Sequence, residues 1–322
     1  MLKNLTIIKK TVEELGGTFE EFMPERNCFY MNVLGKRILV ENNITISRSS
    51  FVNPQLTRCK DITHELLLSC GLPSPKTKCF FKKTFDINQT NKNLAEFNYP
   101  IIIKDSSGSN SKGIFTFIQN KKEAVKILQK ELPKYRSMIV QEMVFGKEYR
   151  LLVLGNKIIG ALEMIKPYII GDGISTVKKL INEKQNTTQQ RTLFDEKLVQ
   201  ILKDQKTSLD NIPKKHKTIH IKKNACLAEG GETRNVTGTV NEDIRKICVT
   251  ASKIVGRHLV GIDVICDNIT EKPTPESFHI LEINGRPDLY IHYKPTYGKT
   301  QKVAKDIIKF MVKLAPPINI KN

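Results

Sequence analysis

The chain has 322 residues, 39% hydrophobic and 26% charged, the balance of an ordinary folded protein with room for one large domain or two to three lobes. No apolar run approaches the roughly 18 residues needed to cross a bilayer, no secretory signal is recognisable at the start, and the cysteines fit neither a disulfide framework nor a zinc cluster, so a cytoplasmic, reducing setting is expected. The formal charge of +19 suits nucleic acid or phosphate-bearing and acidic small molecules, but the lysines are spread along the chain with no aromatic-interleaved basic strand, which disfavours nucleic acid as the main partner.

Taken in chain order, residues 6–15 read as a helix stopped by Gly16-Gly17, and residues 28–40 as a hairpin turning near Gly35. Asp61 is placed to cap a helix running to Ser69, which Gly71-Leu-Pro-Ser-Pro75 ends. The short apolar strand at 98–104 delivers Lys104 at its end, and a polar glycine-containing loop follows to Gly113. A strand at 114–118 and a helix at 121–132, with Ala124, Val125, Leu128 and Leu132 on its apolar stripe, complete a strand–loop–strand–helix lobe. That order is not a mononucleotide βαβ unit, which needs the helix directly after the loop.

From Ser137 a second lobe begins, with strands at 138–140, 148–154 and 157–163 and a turn at Gly171-Asp-Gly173. Short helices are expected after Ser175 or Thr176 and around Leu198 to Leu202, and the polar stretch 204–217 reads as a surface loop. A long amphipathic helix at 242–259 precedes strands at 260–266 and 278–283, and a helix at 301–314 closes the chain. The resulting division is a small N-terminal unit at 1–54, a first lobe at 55–136 and a second lobe at 137–322.

The chemistry resides in an order of groups. Asp263 sits mid-strand between Ile262 and Val264, while Glu282 and Asn284 share a face by the two-residue period of a strand. Carboxylates inside apolar strands are uncommon unless paired or metal-bound. If the two strands are neighbours, two carboxylates and an amide oxygen converge, a ligand set suited to magnesium; the alternative is an edge strand with its acids in water. Upstream, Lys60 and Lys104 flank the first helix of the lobe. The stretch Ser106 to Gly113 offers small side chains and open backbone amides that wrap phosphate without steric cost, although it is not a Walker loop. A mobile surface loop has a similar composition.

These segments, in this order over roughly residues 55–312, resemble the ATP-grasp ligases, in particular the amino-acid ligase modules of cyanophycin synthetase and bifunctional glutathione synthetase. The matching stretches are 61–75, 99–104, Val140 to Arg150, the Gly-Asp-Gly segment 166–176, 224–237, Gly261-Ile-Asp-Val-Ile265 and Leu281-Glu-Ile-Asn-Gly-Arg-Pro287. The resemblance implies an α+β fold in which two α/β lobes clasp ATP, with a small N-terminal unit. It also implies roles. Lys60 and Lys104 would contact the α- and β-phosphates, and the loop with Ser107, Gly108, Ser109 and Gly113 would close over the β- and γ-phosphates. Gln141, Glu142 and Val144 would line the adenine slot, and Glu148 would take the ribose hydroxyls. Asp263, Glu282 and Asn284 would hold two Mg2+ ions, with Mn2+ an alternative. Arg150, Lys166, Arg234 and Arg286 are candidates for substrate carboxylates or the developing acyl phosphate, because a guanidinium fork binds both oxygens of a carboxylate.

The implied activity is ADP-forming joining of a carboxylate to an amine through an acyl phosphate, on small substrates such as amino acids or on an acidic peptide. The sequence departs from the family around the acceptor end: Lys166 stands where an arginine is common, Asp288 where a glycine is common, and Glu232-Thr-Arg-Asn235 replaces small residues with an acid. The large N-terminal domains of both named relatives lie outside this sequence, so the identity of the substrates is left open. Two rivals remain: a peptide- or protein-modifying ATP-grasp enzyme, through residue addition or ring closure, and a non-catalytic nucleotide- or RNA-binding module. A homo-oligomer is compatible with the family, but no face of the sequence announces an interface.

Overall fold

The computed structural model describes residues 2–23, 28–41, 56–107, 113–188 and 194–314. Its elements are α1 (Leu2–Glu14), β1 (Thr18–Met23), β2 (Cys28–Val33), β3 (Lys36–Glu41), α2 (Lys60–Ser69), β4 (Thr77–Phe81), α3 (Ile87–Ala95), β5 (Ile101–Asp105), β6 (Ile114–Ile118), α4 (Lys121–Glu131) and β7 (Ser137–Glu142). The chain continues through β8 (Lys147–Leu154), β9 (Lys157–Ile165), β10 (Tyr168–Ile170), α5 (Val177–Thr188), α6 (Glu196–Asp204), β11 (Thr218–His220) and β12 (Glu232–Asn235). It ends with α7 (Glu242–Ile254), β13 (Leu259–Cys266), β14 (Phe278–Asn284), the short α8 (Tyr290–Tyr293) and α9 (Val303–Leu314). Helices and antiparallel sheets are thus mixed, as an α+β class requires.

Two compact units emerge. The first comprises Met1–Ala161, Val236–Tyr293 and Gln301–Asn322, and the second Leu162–Asn235 with Lys294–Thr300. In the first unit, β1, β2 and β3 form a meander, and β4-β7-β5-β6 a four-stranded sheet. The latter packs Ile101, Ile103, Met138 and Val140 against Leu94 of α3 and Ala124 and Leu128 of α4. Both helices start on side-chain caps: Asp86 Oδ1 accepts from the Gln89 amide at 2.7 Å, and Asn120 Oδ1 from the Glu123 amide at 3.0 Å. The third sheet runs β9-β8-β13-β14. Its central strands, β8 and β13, are apolar along most of their length because both faces are covered there, while Glu148, Arg150 and Asp263 interrupt one face towards one end. One side packs on α7 through Ile244, Cys248 and Ala251, the other on α1 and α9 through Val12, Val303 and Ile307.

The sequence reading places the closing helix and most of the longer strands, passes over β1, β4, β10, β11, β12, α3 and α8, and misplaces the ends of two helices. It passes over β4 because only Phe80 of that edge strand is buried, and over α3 because its buried residues are only Thr90 and Leu94, too few to print a helical stripe. It runs α7 on to residue 259, whereas the helix ends at Ile254 and Gly256 takes a φ of 65°, a left-handed turn that frees the next residues to enter β13. It also starts α1 four residues late.

The second unit is built on two small antiparallel pairings. β10 pairs with β11, and β12 pairs with the end of β9, Glu232 opposite Ile165 and Asn235 opposite Leu162. Ile169, Val177, Ile181, Leu198, Leu202, Ile219 and Ile221 form its core, so α5 and α6 turn their apolar faces onto β10 and β11. Residues 205–217 carry neither helix nor strand, in keeping with the polar loop expected there. No helix among the described residues is long and apolar enough to cross a membrane.

Candidate active site

The register of the third sheet brings the acidic residues together. In the β13–β14 pair Asp263 lies opposite Glu282 and Gly261 opposite Asn284, with an irregularity directly after Asp263. On the other side of β13, Asp263 lies opposite Arg150 and Ile265 opposite Glu148. Ile262 and Ile283 go into the core beneath, so their neighbours Asp263, Glu282 and Asn284 project from the opposite face. Gly261 belongs to the same arrangement: a side chain there would press on Pro287 at 3.0 Å and on Cδ of Arg150 at 3.4 Å. Glycine at this position lets the arginine cross β13 to reach Asp263.

Arg150 donates from Nε to Asp263 Oδ1 and from one terminal nitrogen to Oδ2 at 2.9 Å, a two-point fork. Asn284 Nδ2 donates to the same Oδ2 at 3.1 Å, which leaves its Oδ1 as the atom it would offer a metal. Lys60 at the start of α2 stands 3.4 Å from Glu282 Oε1. Burial raises the pKa of Asp263, and the Arg150 guanidinium opposes that shift without cancelling it. For Arg150 burial works against the charge, but Asp263 and the further pull of Glu282 and Glu148 prevail and its pKa goes up.

Lys104, at the end of β5, is only 8% exposed. Burial pushes its ammonium down to about 8; Glu282 and Asp263 pull it back up, and Lys60 adds to the depression. Its Nζ donates to Gln141 Oε1 at 3.1 Å. The Gln141 amide nitrogen in turn donates to Thr77 Oγ1 at 2.7 Å and faces the His64 ring, with Nε2 at 3.2 Å. His64 Nδ1 lies 2.8 Å from Ser74 Oγ, and burial drives the imidazole pKa down to about 3, so it stays neutral.

Sequence reasoning missed His64. The available signal was helical spacing: Lys60, His64 and Leu67 fall on one face of α2, the lysine at the site and the leucine in the core. It also missed His292 on α8, which is 1% exposed; burial, with the Arg150 charge adding to it, lowers its pKa to about 3.

The predicted residues therefore separate into groups. Lys60, Lys104, Glu148, Arg150, Asp263, Glu282 and Asn284 share one electrostatic cluster in the first unit. Gln141 is 2% exposed, so its side chain is committed to the interior beneath Lys104 rather than to an open slot. Glu142 Oε1 accepts from the Asn98 amide at 2.8 Å, and Val144 is half-buried. Ser107 folds back on Asp105, donating from its amide at 3.1 Å and its hydroxyl at 3.3 Å, and the Asp105 amide donates to the Gly113 carbonyl at 3.2 Å to close the loop's base. Gly108 and Ser109 lie outside the described residues. Lys166 and Arg234 belong to the second unit, where Arg234 donates to Glu163 Oε2 at 2.9 Å and lies over the Tyr297 ring. Arg286 is exposed, and its charge adds to burial in lowering the pKa of Arg257.

The donor set fits an oxygen-ligated divalent cation: two carboxylates and an amide oxygen on adjacent strands, beside the ammonium groups of Lys60 and Lys104. Among the described residues no group of three or more His, Cys, Asp or Glu side chains could hold a metal, so softer cations have no rival site there. Burial, seconded by Asp61, pushes the Cys79 thiol up to about 12, and burial also raises Cys248, so neither of these two thiols is a ready thiolate. A cavity of about 640 Å³ beside α2 has Ile62, Leu66, Phe81 and Ser106 in its walls, but none of the clustered acids lines it.

Comparison with known proteins matches residues 57–224 to the RimK-like ATP-grasp domain, more than half of the chain. The chain belongs to the RimK-like ATP-grasp family. It is 24% identical over 314 residues to the bifunctional glutathione biosynthesis protein of Pasteurella multocida, covering 92% of this chain and 41% of that protein. Cyanophycin synthetase of Synechocystis is 24% identical over 287 residues, 85% of this chain and 32% of that one. The crystal structure of the Pasteurella multocida bifunctional glutathione synthetase superposes with a TM-score of 0.67 at 22% identity, over 95% of this chain and 44% of that one. D-alanine–D-alanine ligase from Bacillus anthracis reaches 0.51 at 13% identity, over 84% and 72%. The ATP-grasp fold expected from the sequence is thus the fold observed. This ATP-grasp chain spans about two-fifths of the length of the glutathione biosynthesis relatives it matches.

Proposed function

We propose that the protein is an ATP-dependent, ADP-forming ligase that activates a carboxylate as its acyl phosphate and joins it to an amine. The observation that carries this is the register placing Asp263, Glu282 and Asn284 side by side, facing Lys60 and Lys104. Lys60 and Lys104 bind the phosphates of ATP, and Lys104 does so from a nearly dry position where its charge is little screened. Asp263, Glu282 and Asn284 hold Mg2+, which when bound neutralises charge on the terminal phosphates.

The substrate carboxylate attacks the γ-phosphorus, the β–γ bridge breaks, and ADP departs. The amine then attacks the acyl carbon and phosphate leaves, the amine giving up a proton. Positioning and electrostatic stabilisation account for the rate, and no side-chain nucleophile is needed. Arg150 is tied to Asp263, so its role is to hold that carboxylate ionised and in place until metal arrives. Arg234, Lys166 and Arg286 are the remaining candidates for substrate carboxylates. Glu148, half-buried beside the cluster, is the ribose contact, and Val144 with Glu142 marks the strand hinge beside the adenine. The names of the relatives, in glutathione and cyanophycin biosynthesis and D-alanine ligation, support an amino acid or peptide as the acceptor class.

With ATP, Mg2+ and a panel of single amino acids, dipeptides and acidic peptides, purified protein should release ADP in at least one case only when the acceptor is present. Release that depends on no acceptor, or none at all, would reject a ligase. The depressed Lys104 adds a pH signature. Nucleotide affinity should be full below about 8, where the ammonium is charged, and should weaken as pH rises through that value. The limiting slope is about tenfold per pH unit for one titrating group. Lys104→Arg, which keeps its charge throughout, should flatten the profile measured by titration calorimetry.

A further inference from the structure

The second unit carries an exposed face that neither the fold nor the catalytic reading uses. In this unit the segment around Gly171-Asp-Gly173 is braced against residues 211–217. Gly171 donates to the Lys217 carbonyl at 2.8 Å, Gly173 to the Pro213 carbonyl at 3.2 Å and Val177 to the Asn211 carbonyl at 3.0 Å. Asp172 Oδ1 accepts from the amides of Ile174 and Ser175 at 2.8 and 2.7 Å, which fixes the turn. The bracing turns isoleucines outward: Ile174 is 79% exposed, Ile212 56% and Ile170 52%. Ile174 is the most exposed large hydrophobic among the described residues.

The bonded residues neighbour Ile170, Ile174 and Ile212 in sequence, so the three exposed isoleucines lie on two backbone strips that are held together. The 211–217 strip sets Lys214, Lys215 and Lys217 among them, all exposed. The neighbouring acids are Asp172, whose carboxylate is engaged with the two amides, and Asp210.

Water-exposed isoleucine is unfavourable, and three on a braced turn ask for an apolar counterpart. The lysines select its charge. A partner rich in aromatic stacking surfaces, such as single-stranded RNA, would want aromatic platforms, and this face presents aliphatic ones. We propose that this face docks an acidic polypeptide segment, with aliphatic side chains seated on Ile170, Ile174 and Ile212 and carboxylates paired to Lys214, Lys215 and Lys217. It would hold the peptide by residues other than those assigned to the reaction. The inference does not depend on the ligase reading, because binding alone is measured.

The test uses the full chain and a fluorescein-labelled decapeptide of glutamates carrying two leucines, followed by fluorescence anisotropy. Wild-type protein should bind it more tightly than an all-glutamate decapeptide of the same length. The pair Ile174→Ser with Ile212→Ser should weaken the leucine peptide about tenfold or more and erase the preference, since one buried isoleucine contributes on that scale. The pair Lys214→Glu with Lys215→Glu should weaken both peptides and flatten the salt dependence. All four positions are exposed, so circular dichroism should be unchanged. Absence of wild-type binding, no preference for leucine, or unaltered binding by the isoleucine pair would overturn the proposal. So would tighter binding of poly(A) RNA or phosphatidylserine vesicles that is lost with the same substitutions.

Discussion

Glu282→Ala is expected to lower ADP release by about 10³-fold or more while the fold persists, because it removes an oxygen donor at the place where phosphoryl charge develops. Glu282 projects from β14, away from the core that Ile280 and Ile283 fill, so its loss leaves no cavity. Its ionic partner Lys60, with a side chain 13% exposed, loses a carboxylate 3.4 Å away, so a modest fall in melting temperature is expected beside the loss of activity. Glu282→Gln should behave nearly as badly, since an amide offers metal a weaker, uncharged oxygen. Steady-state ADP release and thermal melts check both halves. Activity within threefold of wild type would remove Glu282 from the site, and a collapsed melt would make its role structural.

Arg150→Met should destabilise the protein by about 3 kcal/mol, at the low end for a broken buried ion pair. The reason is what remains behind. Asp263 has a side chain only 13% exposed, and without the guanidinium it keeps an uncompensated charge or takes up a proton. Burial already raises its pKa, and the arginine is the chief influence opposing that rise. Because the folded pKa lies above the unfolded one, the carboxyl costs stability above the usual carboxylate range, and removing Arg150 enlarges that cost at neutral pH. Two companion results follow in urea denaturation. The double variant Arg150→Met, Asp263→Asn should recover most of the loss, since no unpaired charge is left. Added Mg2+ should stabilise Arg150→Met more than wild type, since the metal can neutralise the stranded carboxylate by binding the native state alone. Equal stability of Arg150→Met and wild type would mean that solvent screens the pair.

The site was legible in the sequence where side-chain type and strand period combine. Asp263, Glu282 and Asn284 stand out because carboxylates interrupt apolar strands, and the period of two puts Glu282 and Asn284 on one face. Lys104 was legible as the lysine ending an apolar strand before a run of small residues. Gln141 shows the opposite case. The family resemblance put it on the adenine wall, yet a glutamine carries no mark of whether it faces a ligand or the interior. Only the packing of β7 between β4 and β5 decides, and it turns the amide to Lys104 and Thr77. His64 and His292 were silent because a single histidine in an apolar setting reads the same whether it is catalytic or merely buried.

By period and residue chemistry, then, the sequence marked Asp263, Glu282 and Asn284 on apolar strands and Lys104 at the end of another, features a linear string records. The fold class and the grouping of the lysines with the carboxylates came from the ordered resemblance to ATP-grasp ligases. The tertiary structure decided that Arg150 pairs with Asp263, that Gln141 lies inside, and that Lys166 and Arg234 belong to a separate unit. These are matters of register and of which strand lies beside which. They join residues as far apart as 150 and 263, and no spacing along the chain encodes such a meeting.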